Sequence, residues 1–436
     1  MSKHSNDRRA FVKGMAATPL LASLAEGFFS TSTAAAATTP AAPAAGVTPE
    51  VYARIGARTI INGRGTYTYL SGSVELPVVR EAMHAASFNF VNLYDLQAAA
   101  GAYLAKIAGA ESAMVTSGSA GAMSAATAAC LAGSDPVKIY QLPDLTGMKS
   151  EVIMMGGRSA FDSAIRLCGV KLVVVPTVDG LKAAINSNTA MIYNATQRED
   201  ETITKILAIS KPAGVPMLVD AAAGIPPFEN FSRFPKLGVD LYCFSGGKGM
   251  CGPQDSGILL GRKDLIESAR YNCAPWEGSI CRPMKVGKEE IMGVIAAVDY
   301  WSKADPNAQW HEWQQRAERM KDAVKDIPGV TAEIIIPPNS NSFPTLAMTW
   351  DEKKFGLSVM ECAAQLREGN PSIETLTPVN PSTVMSRLND LNHPPRKGNA
   401  PLRLQVASLT LQPGEDVIVG RRLHEVLTGA LKKAGA

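Results

Sequence analysis

At 436 residues, with 46% apolar and 19% charged side chains, the chain is long enough for one large globular domain and a smaller one. A net charge of +3, spread along its length, argues against a nucleic-acid-binding surface. Outside the N-terminus no apolar run reaches the ~18 residues of a membrane span, and seven scattered cysteines without a Cys-x-x-Cys pair predict neither a zinc site nor a disulfide framework.

The first segment reads as an address. Asn6-Asp-Arg-Arg-Ala-Phe-Val-Lys is followed by an apolar stretch over 14–24 and small residues over 30–37. This is the layout of a twin-arginine (Tat) export signal over 1–37, cleaved near Ala36, and it predicts a periplasmic mature protein handled by the Tat machinery. Arginine pairs also occur in disordered basic termini, but the Phe-Val-Lys context and the alanine-rich end favour export. The Tat route carries folded proteins, so thiols that stay reduced during folding are compatible with it. The Ala/Thr/Pro tract that follows, 38–55, reads as a flexible linker.

A β-prone, glycine-punctuated stretch over 57–73 opens the mature fold and is expected to pack on the smaller domain. Helical periodicity appears over 77–87 and 95–108. Strand-like runs then recur at 113–116, 151–155, 171–176, 190–193, 216–219, 241–244 and 257–260. Helical segments at 120–131, 161–167, 180–186 and 202–210 separate most of them. Alternation of this kind predicts an α/β large domain over 56–305, built on a mainly parallel seven-stranded sheet covered on both faces. Helices at 288–303 and 309–325 follow, the second placing Trp310 and Trp313 on one face for packing. Strands at 332–336, 345–350 and 402–411 with helices at 357–368 and 416–433 predict a smaller α+β domain over 306–436. The final helix has Glu415 and Asp416 at its start and Lys432 and Lys433 at its end, charges that complement its dipole.

Three strand ends carry chemistry. Thr116-Ser-Gly-Ser-Ala-Gly-Ala offers backbone N–H groups and hydroxyls at a helix start, where an anion is favoured, although an ordinary N-cap has the same composition. Asp220 closes an apolar strand before Ala-Ala-Ala-Gly, and either caps a turn or partners a cation. Lys248 lies in Ser245-Gly-Gly-Lys-Gly, and either points to solvent or is desolvated at a strand end. A phosphate-binding P-loop is excluded, because Tyr242 and Gly249 stand where that motif needs glycine and a hydroxyl. Ligands of parallel sheets bind outside the carboxyl ends of the strands, and all three features fall there. A phosphate cradle, a carboxylate and a lysine in this order meet the needs of pyridoxal 5'-phosphate (PLP). Lys248 would form the Schiff base and then act as general base, and Asp220 would hold the pyridine nitrogen protonated. Ala222 or Ala223, lacking bulk, would let the ring lie flat against the backbone.

The chain resembles fold-type I PLP enzymes, in the branch that groups bacterial selenocysteine synthase with D-glucosaminate-6-phosphate ammonia-lyase-like proteins. The resemblance runs from about Arg58 to Leu427 and rests most on Phe244-Ser-Gly-Gly-Lys-Gly-Met-Cys-Gly-Pro-Gln-Asp-Ser-Gly. Supporting stretches are Ile61-Asn-Gly-Arg-Gly-Thr, Leu142-Pro-Asp-Leu-Thr-Gly-Met-Lys and Val219-Asp-Ala-Ala-Ala-Gly-Ile-Pro-Pro. It implies Lys248 as the cofactor lysine, Asp220 as the pyridinium partner, and Ser117, Gly118, Ser119 and Ser245 around the phosphate. A homodimer or larger assembly is also implied, with sites at the subunit interface. The chain departs from the lyase-like pattern at Gly157, Gly224 and Cys251, where histidine, glutamate and arginine are expected. Arg158 and Gln254 are candidate substrate contacts. The expected reaction is β-elimination or β-replacement on a small amino acid or amino sugar acid. Selenium or sulfur transfer of the seryl-tRNA type and a non-catalytic PLP-binding role are the alternatives.

Overall fold

A computed structural model describes residues 46–195, 199–337, 342–377 and 402–435. The expected export signal over 1–37 and the first part of the expected linker, 38–45, lie outside the described residues. The rest of that linker departs from expectation. Glu50–Ala53 forms a helical turn, and Thr48 Oγ1 accepts the Thr59 N–H at 3.2 Å, tying the segment to the start of β1 (Ile60–Gly63).

The seven strand-like runs become β2 (Ser112–Ser117), β3 (Glu151–Met155), β4 (Lys171–Val175), β5 (Thr189–Asn194), β6 (Met217–Asp220), β7 (Leu241–Ser245) and β8 (Ser256–Gly261). They form one sheet in the order β2-β8-β7-β6-β5-β3-β4. All neighbours are parallel except those of β8, which runs antiparallel to both β2 and β7. The exception has a local cause: β8 returns directly from the turn after β7, with Ser245 opposite Gly257, so no crossover helix intervenes.

Side chains alternate between two cores, as the two-residue period of a strand demands. Val115, Ile153 and Val219 join Ala100 and Leu104 of helix Leu93–Ala108 on one face. Met114, Met154 and Leu218 join Ala122, Ala125 and Ala129 of helix Gly118–Ala132 on the other. That second helix is alanine-rich and buried almost all round, so its backbone sits close to the sheet. Gly257 marks the closest approach, where an added Cβ would lie 2.3 Å from the Gly118 carbonyl carbon.

A third core gathers around β9 (Val330–Ile335), β10 (Thr345–Trp350) and β12 (Leu404–Ala407), an antiparallel sheet of order β12-β10-β9. Helix Glu415–Ala434 packs there through Val419, Leu423 and Leu427. The early strand β1 pairs in parallel with β11 (Ser372–Thr375), and its Ile61 is fully buried in this third core. Of the two tryptophans expected on one helix face, Trp313 is buried, 6.5 Å from the Trp301 ring and 6.1 Å from Phe343, whereas Trp310 is 40% exposed.

Candidate active site

Three backbone devices converge at the carboxyl ends of β2, β6 and β7. At the first, β2 ends in Ser117 and the chain turns through Gly118 at φ +67° into helix Gly118–Ala132. A side chain at Gly118 would strain that left-handed backbone, which explains the glycine. The N-cap Ser117 caps nothing with its side chain, so the first-turn N–H groups stay available to an anion at the positive end of a 15-residue helix. Gly121 keeps the Ser117 hydroxyl accessible, since a Cβ there would lie 2.8 Å from Oγ. Ser245 ends β7 opposite Gly257, one ladder step from the Ser117–Ser256 pair, so both serines reach the same corner.

At the second, Asp220 ends β6 with its carboxylate fixed by three donors. Tyr193 Oη donates to Oδ2 at 2.8 Å, the Ala222 N–H donates to Oδ1 at 3.0 Å, and Cys243 Sγ lies 3.8 Å from Oδ1. Burial raises the pKa of both Tyr193 and Cys243, and the negative charge of Asp220 raises it further, so phenol and thiol stay protonated donors. The Ala222 carbonyl accepts the Ser245 N–H at 3.2 Å, which couples the acid's strand end to the serine's.

At the third, Lys248 sits in the turn joining β7 to β8. Gly246 N–H bonds Ser256 O at 2.8 Å, Gly252 N–H bonds Gly246 O at 2.8 Å, and Cys251 N–H bonds Lys248 O at 2.9 Å. Glycines are required by space: a Cβ on Gly247 would lie 2.3 Å from Gln254 Cα, and one on Gly249 would lie 2.3 Å from Ile225 O. Lys248 itself is half-buried, with Nζ 5.4 Å from the centre of the Phe161 ring.

The sequence-predicted residues thus divide. Ser117, Gly118, Ser119, Asp220, Ala222, Ser245 and Lys248 come together at the strand ends. Arg158 is engaged instead by Asp162, donating through Nε and, at 3.2 Å, through Nη2. Gln254 spends its side-chain amide on Thr68 O at 2.9 Å, fastening the 67–72 segment over the lysine turn. Sequence reasoning missed Tyr193, Cys243 and Phe161. The first two lie in apolar strand runs, where tyrosine and cysteine look like packing residues, and only the pairing of β6 with β5 and β7 brings them to Asp220.

The chain is similar to proteins of known activity. The Aminotransferase class-V family model matches residues 163–370. A 5'-C-glycyluridine monooxygenase-decarboxylase of Streptomyces sp is 30% identical over 339 residues, 74% of this chain and 83% of that protein. The chain belongs to the class-V aminotransferase family of PLP enzymes. A second relative, D-glucosaminate-6-phosphate ammonia lyase of Salmonella typhimurium, is 28% identical over 75% of this chain and 89% of its own length. A solved D-glucosaminate-6-phosphate ammonia-lyase structure matches with a TM-score of 0.71 at 25% identity, over 88% of this chain and all of that one.

This PLP enzyme has the donor set its cofactor needs. The uncapped first turn after Ser117 suits a phosphate dianion, the fixed carboxylate of Asp220 suits a protonated ring nitrogen, and Lys248 supplies an amine on an immobile turn. Among the departures from the lyase-like pattern, Gly157 faces open space, with nothing within 4 Å of an added Cβ. Cys251 occupies left-handed backbone at φ +53°, and burial pushes its thiol up to about 11.

Proposed function

We propose that the protein is an exported PLP-dependent lyase acting on a small amino acid or amino sugar acid: β-elimination would take the Cα proton and a Cβ hydroxyl as water, and hydrolysis of the released enamine would give oxo acid and ammonia. The observation that supports it best is the convergence of Lys248, Asp220 and the uncapped helix start on one corner of the sheet. The bound cofactor supplies an electron sink for negative charge at the substrate Cα. In this reading the first-turn N–H groups after Ser117, with Ser119 and Ser245, hold its phosphate. Asp220, oriented by Tyr193 and Ala222, keeps the ring nitrogen protonated. Lys248 would hold the cofactor covalently, and its Nζ would be the base for the substrate Cα proton. The half-buried turn around it limits water at the reacting atoms.

Export is supported by Arg8-Arg9 and the apolar and small residues that follow. Homo-oligomerisation is supported by large apolar side chains left exposed within one stretch of chain, among them Tyr69, Phe88, Phe90 and Tyr94. Fractionation of cells and light scattering of the purified protein test these two points. The reaction itself is tested by offering D- and L-amino acids and amino sugar acids and scoring release of oxo acid and ammonia.

The 30% identity to a monooxygenase-decarboxylase favours a second reading. In that reading Cα would be oxidised by dioxygen after the same proton abstraction, with one oxygen atom ending in a carboxamide, the other in water, and the carboxyl group leaving as carbon dioxide. Oxygen uptake with carbon dioxide release, in place of anaerobic ammonia and oxo acid, distinguishes it.

A further inference from the structure

Seven cysteines are scattered along the chain, and the fold brings two of them opposite each other. Cys273 and Cys281 lie in the connection between helices Lys263–Tyr271 and Lys288–Trp301, where they form an isolated parallel β-bridge. The Cys281 N–H donates to Asn272 O at 3.3 Å, and Cys273 Sγ lies 3.9 Å from Cys281 O. Neighbouring strands of a ladder lie about 4.7–4.9 Å apart, inside the roughly 4.4–6.8 Å Cα separation that a disulfide spans. Ladder partners also project to the same face, and both of these side chains enter the core that packs helix Gly118–Ala132. Cys273 is 2% exposed there and Cys281 is fully buried. A third thiol, Cys168, joins the same core, but its Sγ donates to Ser124 O at 3.5 Å.

We propose that Cys273 and Cys281 are a modification site, a dithiol during folding that closes to a disulfide when the folded protein meets an oxidising compartment. Its physiological setting rests on the export reading above. In closure the two thiols give up two protons and two electrons as the Sγ–Sγ bond forms. The S–S bond of a small-molecule or protein disulfide takes them up and is cleaved to two thiols. The ring so formed encloses 274–280, a segment already seated at both edges. Trp276 meets Tyr94 and Tyr271 edge-on, with ring centres 4.8 and 4.9 Å away, and Asn272 Nδ2 donates to Gly133 O at 3.0 Å. Burial pushes the Cys273 thiol up to about 11 and Cys281 further, so both stay protonated at neutral pH and react poorly at rest. Closure therefore waits on opening of the loop, whose Trp276, Glu277 and Gly278 face solvent.

The test is a peptide map of the full-length holoprotein, equilibrated in glutathione buffers from fully reduced to fully oxidised, with and without mild urea to open the loop, and then alkylated. Trypsin leaves both cysteines on one peptide that starts at Tyr271, and cleavage at Glu277 separates them. The oxidised protein is expected to lose two alkylation sites, and the two halves of this peptide to stay joined until a reductant is added. Oxidation is also expected to raise the unfolding temperature of wild type by about 2–5 °C, because the cross-link constrains the unfolded chain. Cys273→Ser is expected to show no such rise, and Cys281→Ala serves if that variant fails to fold. Seven alkylated cysteines at the oxidising limit overturn the proposal, as does a bond from Cys281 to Cys168. Maps of cell fractions separate it from the export reading: a disulfide in the periplasm and a dithiol in the cytoplasm are expected. A periplasmic dithiol overturns the proposal. A protein confined to the cytoplasm defeats the export reading, and closure of the purified chain is then decided by its own map.

Discussion

The two walls of the site are built differently. The strand-end wall is backbone: Ser117, Asp220 and Ser245 occupy the last residues of β2, β6 and β7, and the Lys248 turn is tied by main-chain bonds between glycines that have no room for a side chain. The opposite wall, 157–166, is a short turn and helix gathered around one buried carboxylate that holds two arginines, while Gly157 faces open space and Phe161 is more than half exposed. A wall of backbone leaves almost no sequence freedom and suits an invariant cofactor. One pinned by a single acid can be rebuilt around it, which suits a surface that has to match a substrate. The departure from the lyase-like pattern at Gly157 falls on this second wall.

Breaking the first wall has the larger consequence. Lys248→Ala is expected to lower turnover about 10²–10⁴-fold, because the amine that removes the Cα proton is gone. Mass spectrometry after borohydride reduction then shows no modified peptide at that position. Asp220→Asn retains the shape and can still accept from Tyr193, but it cannot stabilise a protonated ring nitrogen. A loss of about 10²–10³-fold is expected, read as exchange of the substrate Cα hydrogen with solvent deuterium. Full exchange in this variant would falsify the assignment of Asp220.

A matched pair of glycine variants sharpens the contrast in stability. Gly257→Ala drives a Cβ against the Gly118 carbonyl at 2.3 Å, and spreading β8 from the cradle is expected to cost about 1–3 kcal/mol. Gly157→Ala meets nothing within 4 Å, and its effect is expected to stay within about 0.5 kcal/mol. Thermal unfolding of the two side by side decides whether the walls differ as described.

The same division governs what was legible in the sequence. Continuous apolar runs bounded by small residues marked the strands of the sheet, and the placing of Ser117, Asp220 and Lys248 at strand ends could be read from where those runs stop. Helix Asn230–Leu237 was not seen, because Pro235 lies inside it. The expected strand over 402–411 shrank to Leu404–Ala407, since Ser408 turns the chain with its hydroxyl on Pro344 O at 2.6 Å. Strand β11 was missed because four residues gain their meaning only by pairing with β1, which starts 312 positions earlier, as the Ile60–Ser372 pair shows. For the same reason Tyr193 and Phe161 carried no local signal. Their positions depend on which strand or loop lies opposite, and the pairing of Arg158 with Asp162 had no local signal either, because nothing in the sequence showed that Asp162 would be buried between two arginines.

Acid titration probes the weaker wall directly. Burial works to raise the pKa of Asp162, but hydrogen bonds and charge from Arg158 and Arg166, with the Ser159 N–H, outweigh it and hold the carboxyl below its ordinary value. A depressed folded-state value means that the native protein binds this proton less readily than the unfolded chain does. The stabilisation is therefore complete above the unfolded value, near pH 4, and fades as pH falls through the lower folded one. Both arginines are about half exposed and regain water when the pair is lost, so the contribution is expected to be about 1 kcal/mol. Asp162→Asn should accordingly unfold at a lower temperature than wild type at pH 7, and the gap should narrow as the buffer is taken below pH 4. A gap that stays constant down to pH 2 would mean that the carboxylate is not what holds this wall, and that Phe161 owes its place over Lys248 to the backbone after all.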